Sequence, residues 1–149
     1  MTGEARRAAV VSEIVNRTGI DEAMIARLVH GFYDKVRQDP LLGPVFATRI
    51  ADWGPHLEQM CAFWSSLLLK TRRYQGRPLS PHLRIPELSD THFQRWLSLF
   101  RATAARVFNA EDAAAITAVA EKIAQSFRLS IAFQRGEDTT RLVPLSAGA

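Results

Sequence analysis

One cysteine, Cys61, is all the sulfhydryl chemistry that 149 residues contain. No internal disulfide can form, and a reducing compartment suits such a chain. A single thiol also gives no thiolate cluster for zinc, and no two of the four histidines have the spacing of a zinc-binding helix. No apolar run approaches the roughly 20 residues that cross a bilayer. The N-terminus, Met-Thr-Gly-Glu-Ala-Arg-Arg, lacks the apolar stretch of a signal peptide. A cytoplasmic protein without a membrane span is therefore expected. Phosphate-cradling glycine loops, a Gly-x-Ser-x-Gly elbow, internal repeats and strand-like alternation are all missing. Positive charge is in modest excess, at +4. It is carried mostly by arginines scattered along the chain, with no helix-turn-helix or aromatic platform, so nucleic acid is not an expected partner.

Helical periodicity is what the chain does have. A first helix is predicted from about Glu4 to Asn16, stopped by Gly19, and a second runs from the N-cap Asp21 to Asp39-Pro40. Ile25, Leu28, Val29, Phe32 and Val36 form the apolar stripe of this second helix, with Tyr33 on its edge. Leu41 to Phe46 is too short and broken for a full helix and reads as a tight, buried corner. Asp52 caps a third helix from Trp53 to about Lys70, whose stripe includes Leu57, Met60, Cys61 and Trp64, with His56 on its flank.

From Thr71 to Ser89 periodicity gives way to Gly76, Pro78, Pro81 and Pro86, and a loop this long inside a compact domain is often functional. Within it, Ser80-Pro81-His82-Leu83 can make one capped turn, with Pro81 as first helical residue, that fixes His82. Two long helices complete the chain, Ser89 to Phe108 and Ala110 to about Gln134, with Asn109 as the cap between them. After Gly136 no pattern continues, and a mobile tail over 136–149 is expected. The reading is an all-α single domain over 1–149, with its core at about 25–131.

Each polar residue in this pattern has an ordinary explanation. A tyrosine or tryptophan on a helix edge is usually core with its polar tip satisfied, and a helix-edge histidine usually faces water. Their joint distribution suits a haem protein, which needs an axial ligand, an apolar slot and polar groups confined to the iron's open side. His82 stands apart in its proline-bracketed turn, while Tyr33, His56 and Trp96 lie on separate helices. No Cys-x-x-Cys-His is present for covalent attachment.

In order and spacing, five words of this chain resemble the group III truncated haemoglobins. They are Phe32-Tyr33-x-Lys35-Val36-Arg37-x-Asp39-Pro40-Leu41-Leu42-Gly43-Pro44-Val45-Phe46, Trp53-x-x-His56-Leu57, Phe63-Trp64-x-x-Leu67-Leu68, Tyr74-x-Gly76-x-Pro78-x-x-x-His82-Leu83 and Phe93-x-x-Trp96-Leu97-x-Leu99-Phe100. The likeness spans about Ile25 to Ile131. It implies a truncated globin fold, a two-over-two helical sandwich around one non-covalent haem b, here with an extended N-terminal helix. It also implies His82 as proximal iron ligand and Tyr33, His56 and Trp96 as distal residues. Phe46, Leu57, Met60, Trp64 and Phe93 would be walls of the haem slot.

The ligands implied are O2, NO, CO or peroxide, with an electron-donating reductase as a further partner. Donors such as Tyr33 and Trp96 would slow ligand release, which favours capture or redox detoxification, dioxygenase-like or peroxidase-like, over oxygen delivery. His30 and His92 are assigned to the surface, and Arg72, Arg73, Arg77 and Arg84 are offered as partners for the haem propionates on charge alone. The alternative is a haem-free helical sensor or protein-interaction module.

Overall fold

A computed structural model describes residues 2–145. Seven α-helices are found among these residues, with no strand: α1 Gly3–Thr18, α2 Glu22–Gln38, α3 Leu42–Ala47, α4 Trp53–Leu69, α5 Leu79–His82, α6 Asp90–Val107 and α7 Ala110–Gln134. The local chemistry sets most of these boundaries. Thr2, Asp21, Asp52 and Asn109 each accept a backbone N–H of the helix they precede. Gly19, at φ 77, takes the left-handed conformation that ends α1.

The helices pair in two layers. α2 packs on α4, α6 packs on α7, and α2 crosses α6 to join the layers, while α1 lies against α4. Ile25, Leu28, Val36, Leu97, Phe100 and Ile116 fill the junction and are almost wholly buried. The stripes read from the sequence are the faces that close this core. α4 meets α6 through the Trp64–Phe100 stack but is not closely packed on α5 or α7. Leu57, Met60, Cys61, Leu67 and Leu68 on α4, Leu83 beyond α5, and Ile123 and Phe127 on α7 are accordingly only partly buried against the core.

Asp39 fixes the corner between α2 and α3. Its side chain is 2 % exposed and meets the Arg95 Nε of α6 at 2.6 Å. Its other oxygen accepts the backbone N–H groups of Leu41 at 3.1 Å and Leu42 at 2.9 Å. Burial pushes the Asp39 carboxyl up, but these three donors outweigh it and hold the acid below its ordinary value. Gly43 is required at this corner, because a Cβ there would stand 2.9 Å from the Arg37 carbonyl.

Two expectations are refined. The corner at 41–46 winds into the short helix α3. The turn carrying His82 begins one residue earlier than Ser80, at Leu79, with Pro78 as its cap, so Pro81 is the third helical residue and not the first. A proline is still tolerated there, because the N–H it lacks would have no partner within the helix.

Beyond Gly136 the chain turns through Thr139–Arg141 and returns to α7. The buried Arg128 binds Asp90 through two nitrogens, at 2.7 Å each, and donates to the Val143 carbonyl. Leu145 is buried and donates its N–H to Gln125. The last part of the tail, 146–149, lies outside the described residues.

Removing the corner carboxylate should unsettle α2, α3 and α6 together. Asp39→Ala leaves the N–H groups of Leu41 and Leu42 without their acceptor, a loss of about 2–4 kcal/mol for two part-buried donors. Urea unfolding followed by circular dichroism measures it; a loss under about 0.5 kcal/mol would show that the corner does not depend on Asp39.

Candidate functional site

Three helices bring their aromatic rings together above the half-buried faces of α4, α5 and α7. Tyr33 comes from the middle of α2, His56 and Trp53 from the first turn of α4, and Phe46 from α3. The Tyr33 ring lies 5.2 Å from His56, 5.8 Å from Phe46 and 5.8 Å from Trp53, centroid to centroid. Trp53 in turn contacts His56 edge-on at 5.5 Å, and the Arg37 guanidinium caps its outer side at 4.6 Å. Phe32 links this group to α6, with Trp96 at 5.4 Å, and Trp96, Phe100 and Trp64 continue as a stack.

The polar atoms in this cluster are unusual for a core. His56 Nε2 is fully buried and is the one such side-chain atom among the described residues without a hydrogen-bond partner. A buried polar atom left unpaired is unfavourable unless something else completes it. Burial, and secondarily the charge of His82, lowers the His56 pKa from its ordinary 6.5. The two imidazoles come from different helices, α4 and α5. Tyr33 is held neutral, because burial raises its phenol far above the ordinary value of 10.0.

His82 occupies the other side. Its Nδ1 donates to the Pro78 carbonyl at 2.6 Å, one turn back in α5. This bond fixes the tautomer with the proton on Nδ1 and leaves the lone pair on Nε2 free. Phe127 of α7 packs against the ring at 4.8 Å. Burial lowers the His82 pKa, and the bond to Pro78 opposes that only in part, so the ring is neutral and competent as a metal ligand. No group of three or more His, Cys, Asp or Glu that could hold a metal by itself occurs among the described residues. An open cleft of about 760 Å³ along the outer side of α4 reaches His56, with Arg49 and Arg73 on its rim.

No family model matches the chain. Among curated proteins it is 36% identical over 113 residues to the group 3 truncated hemoglobin ctb of Campylobacter jejuni, covering 73% of this chain and 89% of that protein. The chain belongs to the group III truncated haemoglobins. The crystal structure of a group III truncated hemoglobin from the same organism superimposes with a TM-score of 0.72 at 35% identity, over 75% of this chain and 91% of that one. The all-helical truncated globin architecture expected from the sequence is thus the one observed.

In this truncated haemoglobin the residues singled out from the sequence fall into three places. Tyr33, His56 and Phe46 meet directly, and Trp96 joins them through Phe32. Leu57 and Met60 are half-buried on α4, whereas Trp64 and Phe93 are buried in the core behind them. His82 lies on α5 against Phe127 of α7. His30 is exposed as expected, and His92 is spent on the α6 capping box with Ser89. Of the four arginines offered for propionates, Arg73 is paired with Glu22 at 2.5 Å, and Arg72, Arg77 and Arg84 are exposed.

Trp53 belongs to the word Trp53-x-x-His56 but is given no role of its own by the sequence, and its ring contacts with Tyr33 and His56 emerge only in the fold. Phe127 sits on the apolar face of α7 with nothing in the sequence to single it out, because only the fold brings it to His82.

The depressed His56 value has a sign that can be checked. Below about pH 6.5 the unfolded chain takes up a proton that the folded chain refuses, so this residue removes stability as pH falls through that region and has no such effect above it. Urea unfolding of the haem-free chain at pH 7.5 and pH 5 should show a smaller acid loss in His56→Gln than in the wild type. Equal losses would mean that His56 is solvated in the folded chain.

Proposed function

We propose that this chain binds one non-covalent haem b, with His82 as its protein ligand, and holds a small diatomic ligand on the side of Tyr33, His56 and Trp96. The observation that carries the reading is the His82 imidazole, locked by Pro78 with its Nε2 lone pair free, in a fold that also leaves the buried His56 Nε2 unpartnered. The residues present fit the group. One neutral imidazole supplies the ligand, half-covered apolar side chains of α4 and α7 supply the slot, and buried donors line the opposite side. When bound, haem iron supplies a site for diatomic ligands and one-electron chemistry.

The chain's own residues do the rest. The bond to Pro78 raises the basicity of His82 and fixes its ring plane. Leu57, Met60 and Phe127 exclude water. Tyr33, neutral and buried, can only donate its hydroxyl proton or accept a bond, and the Trp96 indole can only donate. Both therefore favour a ligand that carries partial negative charge, and a low-dielectric surround strengthens that preference. Such a pocket releases its ligand slowly, which supports capture with redox detoxification of nitric oxide or peroxide over oxygen delivery.

Absorption spectroscopy of the haem-reconstituted protein tests the reading. His82→Ala should abolish the five-coordinate haem spectrum, and its persistence would assign the ligand to another residue. Failure of the wild type to take up haem would leave the haem-free interaction module. Tyr33→Phe should speed oxygen dissociation by about 10- to 150-fold, the equivalent of one bond to a charged acceptor at roughly 1.5–3 kcal/mol. An unchanged rate would remove Tyr33 from ligand retention.

A further inference from the structure

Between Glu58 and Glu87 the chain runs 28 residues with no Asp or Glu and five cations, Lys70, Arg72, Arg73, Arg77 and Arg84. The same stretch includes α5 and His82. A net charge of +4 over 149 residues does not prepare for such a concentration. The structure shows which of these cations are committed. Arg73 is tied to Glu22, and elsewhere Arg49 is tied to Glu87, Arg95 to Asp39 and Arg128 to Asp90. Lys70, Arg72, Arg77 and Arg84 are exposed and form none of these ion pairs.

Lys70 and Arg72 also take left-handed backbone conformations, φ 61 and φ 59, where glycine is the ordinary choice. α1 extends this face, because Arg7 shares a polar cleft with Arg72, Thr71 and Gln75. The acids nearby are Glu4, which lines that cleft, Asp52 and Glu58, which line the α4 cleft with Arg73, and Glu22 and Glu87, which are already paired. The result is a surface with an excess of unpaired cations over the loop that leads into α5.

We propose that the loop from Lys70 to Arg84, with Arg7 of α1, is the docking face for an acidic one-electron donor protein that reduces the haem. The inference rests on the haem reading above. In the step, the donor loses one electron and haem iron passes from ferric to ferrous, with no atom transferred. Charge complementarity selects the partner, since a cationic face raises encounter rates with an anionic protein and loses that advantage as salt screens it. The face also includes the segment that holds His82.

Reduced flavodoxin, an acidic flavoprotein, is the probe. In anaerobic stopped-flow measurements its second-order rate of reducing the ferric holoprotein should fall about tenfold or more from low to high salt. The combined variant Lys70→Gln, Arg72→Gln, Arg77→Gln should lose a similar factor at low salt. Its reduction by a neutral deazaflavin radical should be unchanged. Titration of oxidised flavodoxin into the haem-free chain reads the docking face alone, and binding there should disappear in the variant.

That second measurement separates the two readings. A chain that takes up no haem but binds flavodoxin through this face fails only the haem reading. Equal rates and equal binding in wild type and variant would overturn the docking proposal. So would faster haem loss from the variant with flavodoxin reduction intact, which would give these cations to the propionates. Stronger binding of the same face to anionic phosphatidylserine vesicles or to duplex DNA than to flavodoxin would overturn it as well.

Discussion

The Asp39 carboxylate is the constraint on which the distal half of this globin depends. One oxygen caps the turn into α3 through Leu41 and Leu42, and the other holds Arg95 of α6. A single buried charge thereby fixes three helices relative to one another. Tyr33 lies less than two turns before it in α2, Phe46 one residue before the end of α3, and Trp96 directly after Arg95. The cluster of rings around Tyr33 is a consequence of that corner. Buried carboxylates of this kind persist where every lone pair has a use, since an unpaired one would be driven neutral.

Dryness then acts in opposite senses on the phenol and on the two imidazoles. Around Tyr33 it suppresses ionisation, so the phenol stays a proton donor at any physiological pH. Around His56 and His82 it suppresses protonation, so both imidazoles stay neutral. One environment thus supplies a neutral donor where a ligand acquires negative charge and a free lone pair where a metal needs one. The incomplete packing of α4 against α5 and α7 belongs to the same arrangement. Leucines, a methionine and phenylalanine are left half-covered there, a state that apolar side chains leave when a flat apolar group fills the gap.

Helix order and most helix faces were legible in the linear chain because caps and stripes are local physics. Asp21, Asp52 and Asn109 announce three helix starts, and the stripe from Ile25 to Val36 is the face that the core covers. The site was legible in part, through words such as Trp53-x-x-His56 and the proline-bracketed His82. Phe127 was not, since its importance depends on His82, far away along the chain. The role of Arg73 was likewise hidden, because its partner Glu22 lies 51 residues earlier.

By itself the sequence determined an all-helical chain, its helix boundaries to within a few residues, and the handful of polar side chains available for chemistry. These follow from hydrogen bonds and hydrophobic periods that act over four residues or fewer. The tertiary structure alone decided which of those side chains meet. It set the Tyr33 ring against His56, closed Phe127 on His82, and left His56 Nε2 without a partner. Such pairings arise from how whole helices cross, and the crossing is settled by the shape of the buried core, which no short stretch of sequence contains.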